Sequence, residues 1–207
     1  MALHTRRKIL QAVTALTAGL AGCNGLSGSS SSSATAVAGR SDPPANSETD
    51  PPQLLVRAGT ERPPLRLAEP DSETADEDWN KLDRRITHEV ISTPETAERL
   101  TIAAGVETDA DIESFVSETA FDSETLFLET TMVQECFRLD LCWVSWGAEE
   151  IGTDYARILR DYDEACSDDT TVMESRLIRL PVALDEESVH SFGTTIGSGS
   201  CDRGGEE

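Results

Sequence analysis

Apolar and polar positions alternate with a period of two over much of the second half of the chain, the signature of half-buried strands. Leu126 and Leu128 lead into Phe137, Leu139, Leu141 and Trp143 on one face, with Cys136, Arg138, Asp140 and Cys142 on the other. Gly147 to Gly152 reads as a turn region, and Tyr155 to Tyr162 returns antiparallel to the strand before it. Val172 to Leu180 forms another strand, stopped by Pro181, and Val189 to Ile196 forms the last before a Gly-Ser-rich end. Upstream, Leu54-Leu55-Val56 is a short strand, and Ile86 to Ile91 sets Ile86, His88 and Val90 against Thr87, Glu89 and Ile91.

Between these strands the period changes. Ser92-Thr93-Pro94-Glu95 is a helix start, because Ser and Thr cap, Pro is preset for the first turn, and Ser-x-x-Glu matches a capping box. Gly105 ends that helix. Asp109 or Asp111 opens a second one, with Ile112, Phe115 and Val116 at helical spacing. Two helices followed by meandering strands predict an α+β domain over 53–207. In it, two helices pack on a mainly antiparallel sheet of four to six strands, stapled by disulfides.

The first 52 residues carry no such pattern. Arg6, Arg7 and Lys8 precede an uncharged apolar run from Ile9 to Ala21. That run is shorter than the roughly 20 residues a spanning helix needs, so it reads as the core of an export signal over 1–22. Thr5-Arg6-Arg7-Lys8-Ile9-Leu10 resembles the twin-arginine signal, and Leu20-Ala21-Gly22-Cys23 resembles a lipobox, in which Cys23 is lipidated and becomes the N-terminus. Residues 23–52 contain a serine run (Ser29 to Ser33) and the pairs Pro43-Pro44 and Pro51-Pro52, a composition that reads as a disordered tether.

Charge narrows the setting. The chain has 39 acidic and 17 basic residues, a net charge of −22, and cleavage before Cys23 would bring it to −25. After that cleavage Lys81 is the only lysine. Acid excess with so little lysine and few aromatics resembles proteins of extreme halophiles, where molar salt screens the self-repulsion. Nucleic acid is not an expected partner, since no basic patch is present to meet phosphates.

Together these features resemble a haloarchaeal twin-arginine-exported lipoprotein. The stretch from FDSETLFLETTMVQECFRLDLCWVSW through SRLIRLPVALD is similar to one such lipoprotein group, over roughly residues 85–201. In that group a cysteine followed by aromatic-Arg-Leu opens a hairpin, with further cysteines downstream. Cys136-Phe137-Arg138-Leu139, Cys166 and Cys201 fit, whereas Tyr155-Ala156-Arg157 lacks a neighbouring cysteine and Cys142 is present instead. A fainter similarity, in the rhythm of strands ending at a proline, is to the C-terminal domain of a bacterial surface protease-complex subunit. Neither resemblance implies a specific activity.

Motifs that carry chemistry are few. Cleavage before Cys23 would leave two histidines, His88 and His190, and no H-E-x-x-H, C-x-x-C or G-x-S-x-G motif occurs. His88 on an alternating strand reads as half-buried structure. Asp161, Asp163 and Glu164 with Asp168 and Asp169, and separately Glu107, Asp109, Asp111 and Glu113, could ligate a hard cation. Both clusters lack EF-hand spacing, and the second reads as acids at a helix N-terminus. No catalytic residue, metal site or cofactor is assigned. The expected function is a membrane-anchored extracytoplasmic binding or envelope module. Its expected partners are the membrane through lipid on Cys23, the twin-arginine machinery and a surface protein. The competing reading is an extracellular hydrolase or an accessory subunit of a surface protease or transporter.

Once Cys23 is lipidated, four cysteines remain in an oxidising compartment. Cys136 and Cys142, on one strand, would stand about 20 Å apart at ~3.3 Å per residue. Bridged Cα atoms lie within about 7 Å, which excludes that bond. A turn that sets Trp146 opposite Thr153 puts Cys136 opposite Asp163, close to Cys166, and Cys142 opposite Arg157, to be reached by Cys201 from the final strand. Two connectivities survive, Cys136–Cys166 with Cys142–Cys201 and Cys136–Cys201 with Cys142–Cys166, and the first is favoured.

Overall fold

The computed structural model describes residues 43–59, 63–68, 86–106 and 109–201, with the side chains of residues 109–110 excepted. Arg6, Arg7, Cys23 and the tether up to residue 42 lie outside the described residues.

The elements are β1 (Ser47–Glu48), β2 (Gln53–Ala58), β3 (Leu65–Leu67), β4 (Ile86–Ile91), α1 (Pro94–Ala97), β5 (Leu100–Ile102), α2 (Asp109–Ser117), β6 (Thr125–Gln134), β7 (Phe137–Trp146), β8 (Glu150–Leu159), β9 (Thr171–Leu180) and β10 (Ser191–Ser198). Instead of one sheet there are two four-stranded sheets, ordered β1-β7-β8-β10 and β2-β9-β6-β4, and a small pair β3-β5. Pairing is antiparallel except between β10 and β8, which run parallel. The fold is mainly β, with a smaller helical share than the sequence predicts.

Periodicity explains the layering. In β6, Phe127 and Val133 point toward the β7–β8 sheet, where they join Leu139, Leu141, Val144, Ile151 and Tyr155 in one core. Leu126 and Leu128 point the other way and join Val56, Leu65, Ile91, Ile112 and Leu177 in a second. The β6–β9 sheet is therefore buried on both faces, under the other sheet on one side and under α1, α2 and β3–β5 on the other. Each fully buried Leu, Ile or Phe contributes roughly 1.5–3 kcal/mol of transfer free energy.

Several expectations are corrected. The alternation from Leu126 to Trp143 is not one strand: β6 ends in one sheet, and after Glu135-Cys136 the chain enters the other as β7. The helix expected up to Gly105 is a single turn. Thr93 caps it as expected, accepting from the Thr96 N–H at 3.1 Å. Leu100-Thr101-Ile102 then pairs with β3 as a strand, because its alternation suits a half-buried ladder better than a second helical turn.

The β7–β8 hairpin is tighter than expected. Trp146 faces Ile151 rather than Thr153, and Gly147 N–H donates to the Glu150 carbonyl at 2.8 Å. Leu141 faces Tyr155 while Trp143 faces Asp154, so Cys142 is the extra residue of a β-bulge. The bulge inverts the face: Val144, not Trp143, continues the core. Trp143 lies against Gly152, where a Cβ would meet Ser145 Oγ at 2.9 Å.

Residues 43–52, assigned to the tether, belong partly to the domain. Ser47–Glu48 pairs with β7, the Pro52 carbonyl accepts from Arg179 N–H at 2.9 Å, and Pro51 is buried. The four described cysteines bond as Cys136–Cys166 and Cys142–Cys201, with Cα separations of 5.2 and 5.0 Å. That is the pairing the hairpin argument favours, reached through a different register.

Candidate functional site

Charged side chains rarely sit between packed sheets unless they are partnered, and among the described residues Glu129, Glu174, Arg176 and Arg57 do so here. Glu129 is 1% exposed on β6, in phase with Phe127 and Val133. Glu174 and Arg176 are buried on β9, and Arg57 reaches in from β2.

Glu129 sits where strands from both sheets converge. Its Oε1 accepts from Thr153 Oγ1 at 3.2 Å and from Thr194 Oγ1, and its Oε2 accepts from Tyr155 OH at 2.6 Å. These three donors come from β8 and β10, so a single carboxylate ties the two sheets together. His88, its register partner on β4, adds a contact from Nε2 to Oε1 at 3.3 Å. Burial raises the Tyr155 phenol well above its ordinary value, and the Glu129 charge raises it further against the opposing Arg176 charge. Tyr155 therefore stays a proton donor to Glu129 at any physiological pH.

Beside this group lies a second one. Arg57 pairs with Glu174 Oε1 and donates to the carbonyls of Phe137 (2.7 Å) and Glu135 (2.6 Å). Arg176 donates to Gln53 Oε1 and to the Leu139 carbonyl, and its guanidinium lies 5.5 Å from the Tyr155 ring centroid. Glu174 Oε2 accepts from Leu139 N–H at 3.3 Å. Burial lifts the Glu174 carboxyl above its ordinary value, and Arg57 and Arg176 offset part of the rise.

His88 lies at the rim, its side chain 17% exposed, and stacks on Phe192 (4.9 Å) and Phe127 (5.8 Å). Thr194 Oγ1 is 3.0 Å from the same Nε2 that meets Glu129. In a nucleophile–His–acid relay the acid holds one ring nitrogen and the nucleophile the other. Here the acid and the hydroxyl share one nitrogen, so the arrangement clamps strands and does not pass a proton along. This extends the sequence reading of His88 as half-buried structure.

The acidic clusters behave as surface. Asp161, Asp163, Glu164, Asp168 and Asp169 are all exposed; Arg160 holds Glu164 at 2.5 Å, and Arg138 lies 4.0 Å from Asp161. Asp111 and Glu113 are exposed on α2, and Glu107 lies outside the described residues. Among the described residues no three His, Cys, Asp or Glu side chains converge as a metal would need. Sequence reasoning passed over Glu129, Glu174, Arg176 and Arg57. The usable signal was phase, since Glu129 keeps step with Phe127, and Glu174 and Arg176 with Ile178 and Leu180. Against a background this acidic, those charges look like a solvent face. Comparison with protein-family models, with curated proteins and with solved structures finds no match.

Proposed function

We propose that the chain is an exported, lipid-anchored binding module of a cell envelope. The observation that carries this reading is the cysteine arithmetic. Of five cysteines, four are consumed in two disulfides, and the fifth is Cys23 after Leu20-Ala21-Gly22. Disulfides belong to an oxidising, extracytoplasmic environment, and there the leftover cysteine is best accounted for as the acylated N-terminus. The polar core supports a binding role over a catalytic one, because its groups are spent on each other. A recess of about 510 Å³ between α1, β5 and α2, lined by Ala97, Leu100, Ile102, Ile112, Val116 and Phe121, offers an apolar contact surface.

Fractionation of cells expressing the full chain tests the anchor. The wild type is expected in the membrane fraction, and Cys23→Ala in the medium or retained unprocessed. Wild-type protein soluble in the cytoplasm with residues 1–22 intact ends the reading. Cross-linking on intact cells tests the recess: a partner captured by the wild type should be lost in Val116→Arg, and identical capture would show that binding lies elsewhere.

A further inference from the structure

A sheet edge is a row of unpaired backbone donors and acceptors, and proteins blunt such edges with charge, proline, bulges or short length. Three of the four edges of the two large sheets follow that rule: β1 is two residues long, β2 carries Arg57 and β4 carries the exposed Glu89. β10 does not. Among the described residues it pairs only with β8, through eight consecutive residues without a register break, and Ser191–Ser198 contains no charge and no proline. The stretch free of Asp, Glu, Lys and Arg runs from Ser188 to Cys201, 14 residues in a chain of 39 acids, and no other after residue 52 is as long.

This edge is also held rigid. At one end His190 and Ser191 N–H groups both donate to the Glu149 carbonyl at 3.1 Å. In the middle Thr194 is bonded to Glu129 and Phe192 is stacked on His88. At the far end Gly199, at φ +96°, turns the chain so that Cys201 reaches Cys142 two strands away. Ordering a strand is a main cost of pairing it, and here that cost is met before any partner arrives. Ile196, 40% exposed, remains uncovered.

We propose that the free edge of β10 is a self-association surface, across which two copies pair their β10 strands antiparallel about a two-fold axis. Charge selects a second copy over a foreign strand. An edge shaped for a basic foreign segment would carry acids of its own, as the rest of this surface does. Two copies of a strongly acidic chain, by contrast, can meet without opposing like charges only where both are neutral. A two-fold centred on Thr194 sets Phe192 of one copy against Ile196 of the other, an aromatic–β-branched pair, and Thr194 against its counterpart. The result is a continuous eight-stranded sheet. The proposal stands independently of the lipid anchor.

Sedimentation equilibrium of the full chain in molar salt tests it. The wild type is expected to dimerise with concentration. Thr195→Glu, at an exposed position outside the Glu129 cluster, should reduce the weight-average mass by about half, to the monomer. A wild type that stays monomeric overturns the proposal, as does a Thr195→Glu variant that dimerises like the wild type. If that variant fails to form both disulfides, hydrogen exchange on the wild type decides. Protection of amides 191–198 should rise with protein concentration, and concentration-independent exchange there refutes the dimer.

Discussion

Glu129 shows how one residue can hold two sheets. Its carboxylate is the shared acceptor for Tyr155, Thr153 and Thr194, three hydroxyls from the opposite sheet. Glu129→Ala strands them, and each buried group left unsatisfied costs about 1–3 kcal/mol. With three such groups the expected loss is about 3–5 kcal/mol. Glu129→Gln keeps one acceptor oxygen and lets the Tyr155 hydroxyl accept from the amide, so it should lose less than half as much. Denaturant titration in molar salt measures both, and equal losses would mean that the clamp is a matter of shape rather than hydrogen bonding. Glu174 gives a pH signature. Because burial holds its folded pKa above the unfolded value, the folded state binds the proton more tightly. The resulting stability is full below the ordinary carboxylate range and is lost as pH rises through the raised value. Glu174→Gln should flatten the fall in stability that the wild type shows over that window, and an unchanged slope would exclude Glu174 as its source.

The elements show where a sequence is legible and where it is not. The strand phase of 172–180 and the cap at Thr93 were readable because each depends on neighbouring residues. The split of one apparent strand into β6 and β7 was not. Phe127 and Val133 keep step with Phe137 and Leu139 across Glu135-Cys136, and only the third dimension separates the sheets. The Cys142 bulge was equally hidden, since an extra residue is recognised only against its partner strand. The pairing emerged despite the wrong register because a disulfide needs proximity, and the hairpin delivers that within a few residues. The site was less legible than the fold: His88 was singled out, but its partner Glu129 was not. The Cys142–Cys201 bond closes a separation of 59 residues. Cys142→Ser with Cys201→Ser should cost about 2–4 kcal/mol and raise amide exchange in β10 before any other strand. Cys136→Ser with Cys166→Ser should leave β10 protected. Uniform loosening in both variants would show that β10 is held by its partners and not by the bond.

At the scale of the whole molecule, the organising fact is 39 acids against 17 bases. The described ion pairs take up little of that excess: Arg57 and Arg176 serve the core, Arg160 holds Glu164, Arg138 lies between Asp140 and Asp161, and Arg179 lies near Glu124. What remains is mutual repulsion among exposed carboxylates, relieved on unfolding because the expanded chain separates them. Salt should therefore stabilise the folded state by screening, most steeply where the Debye length shrinks from about 10 Å near 0.1 M to about 3 Å at 1 M. The two disulfides act on the unfolded chain and are indifferent to ionic strength, so they set a floor beneath a salt-dependent part. Thermal melts followed by circular dichroism from 0.1 to 2 M KCl should show the midpoint rising by more than about 5 °C, corresponding to roughly 1–2 kcal/mol in a domain of this size. Sucrose, which strengthens burial without screening charge, should give a smaller rise. A midpoint that does not move with salt, or that moves equally with sucrose, would show that the surface acids do not repel one another enough to govern stability.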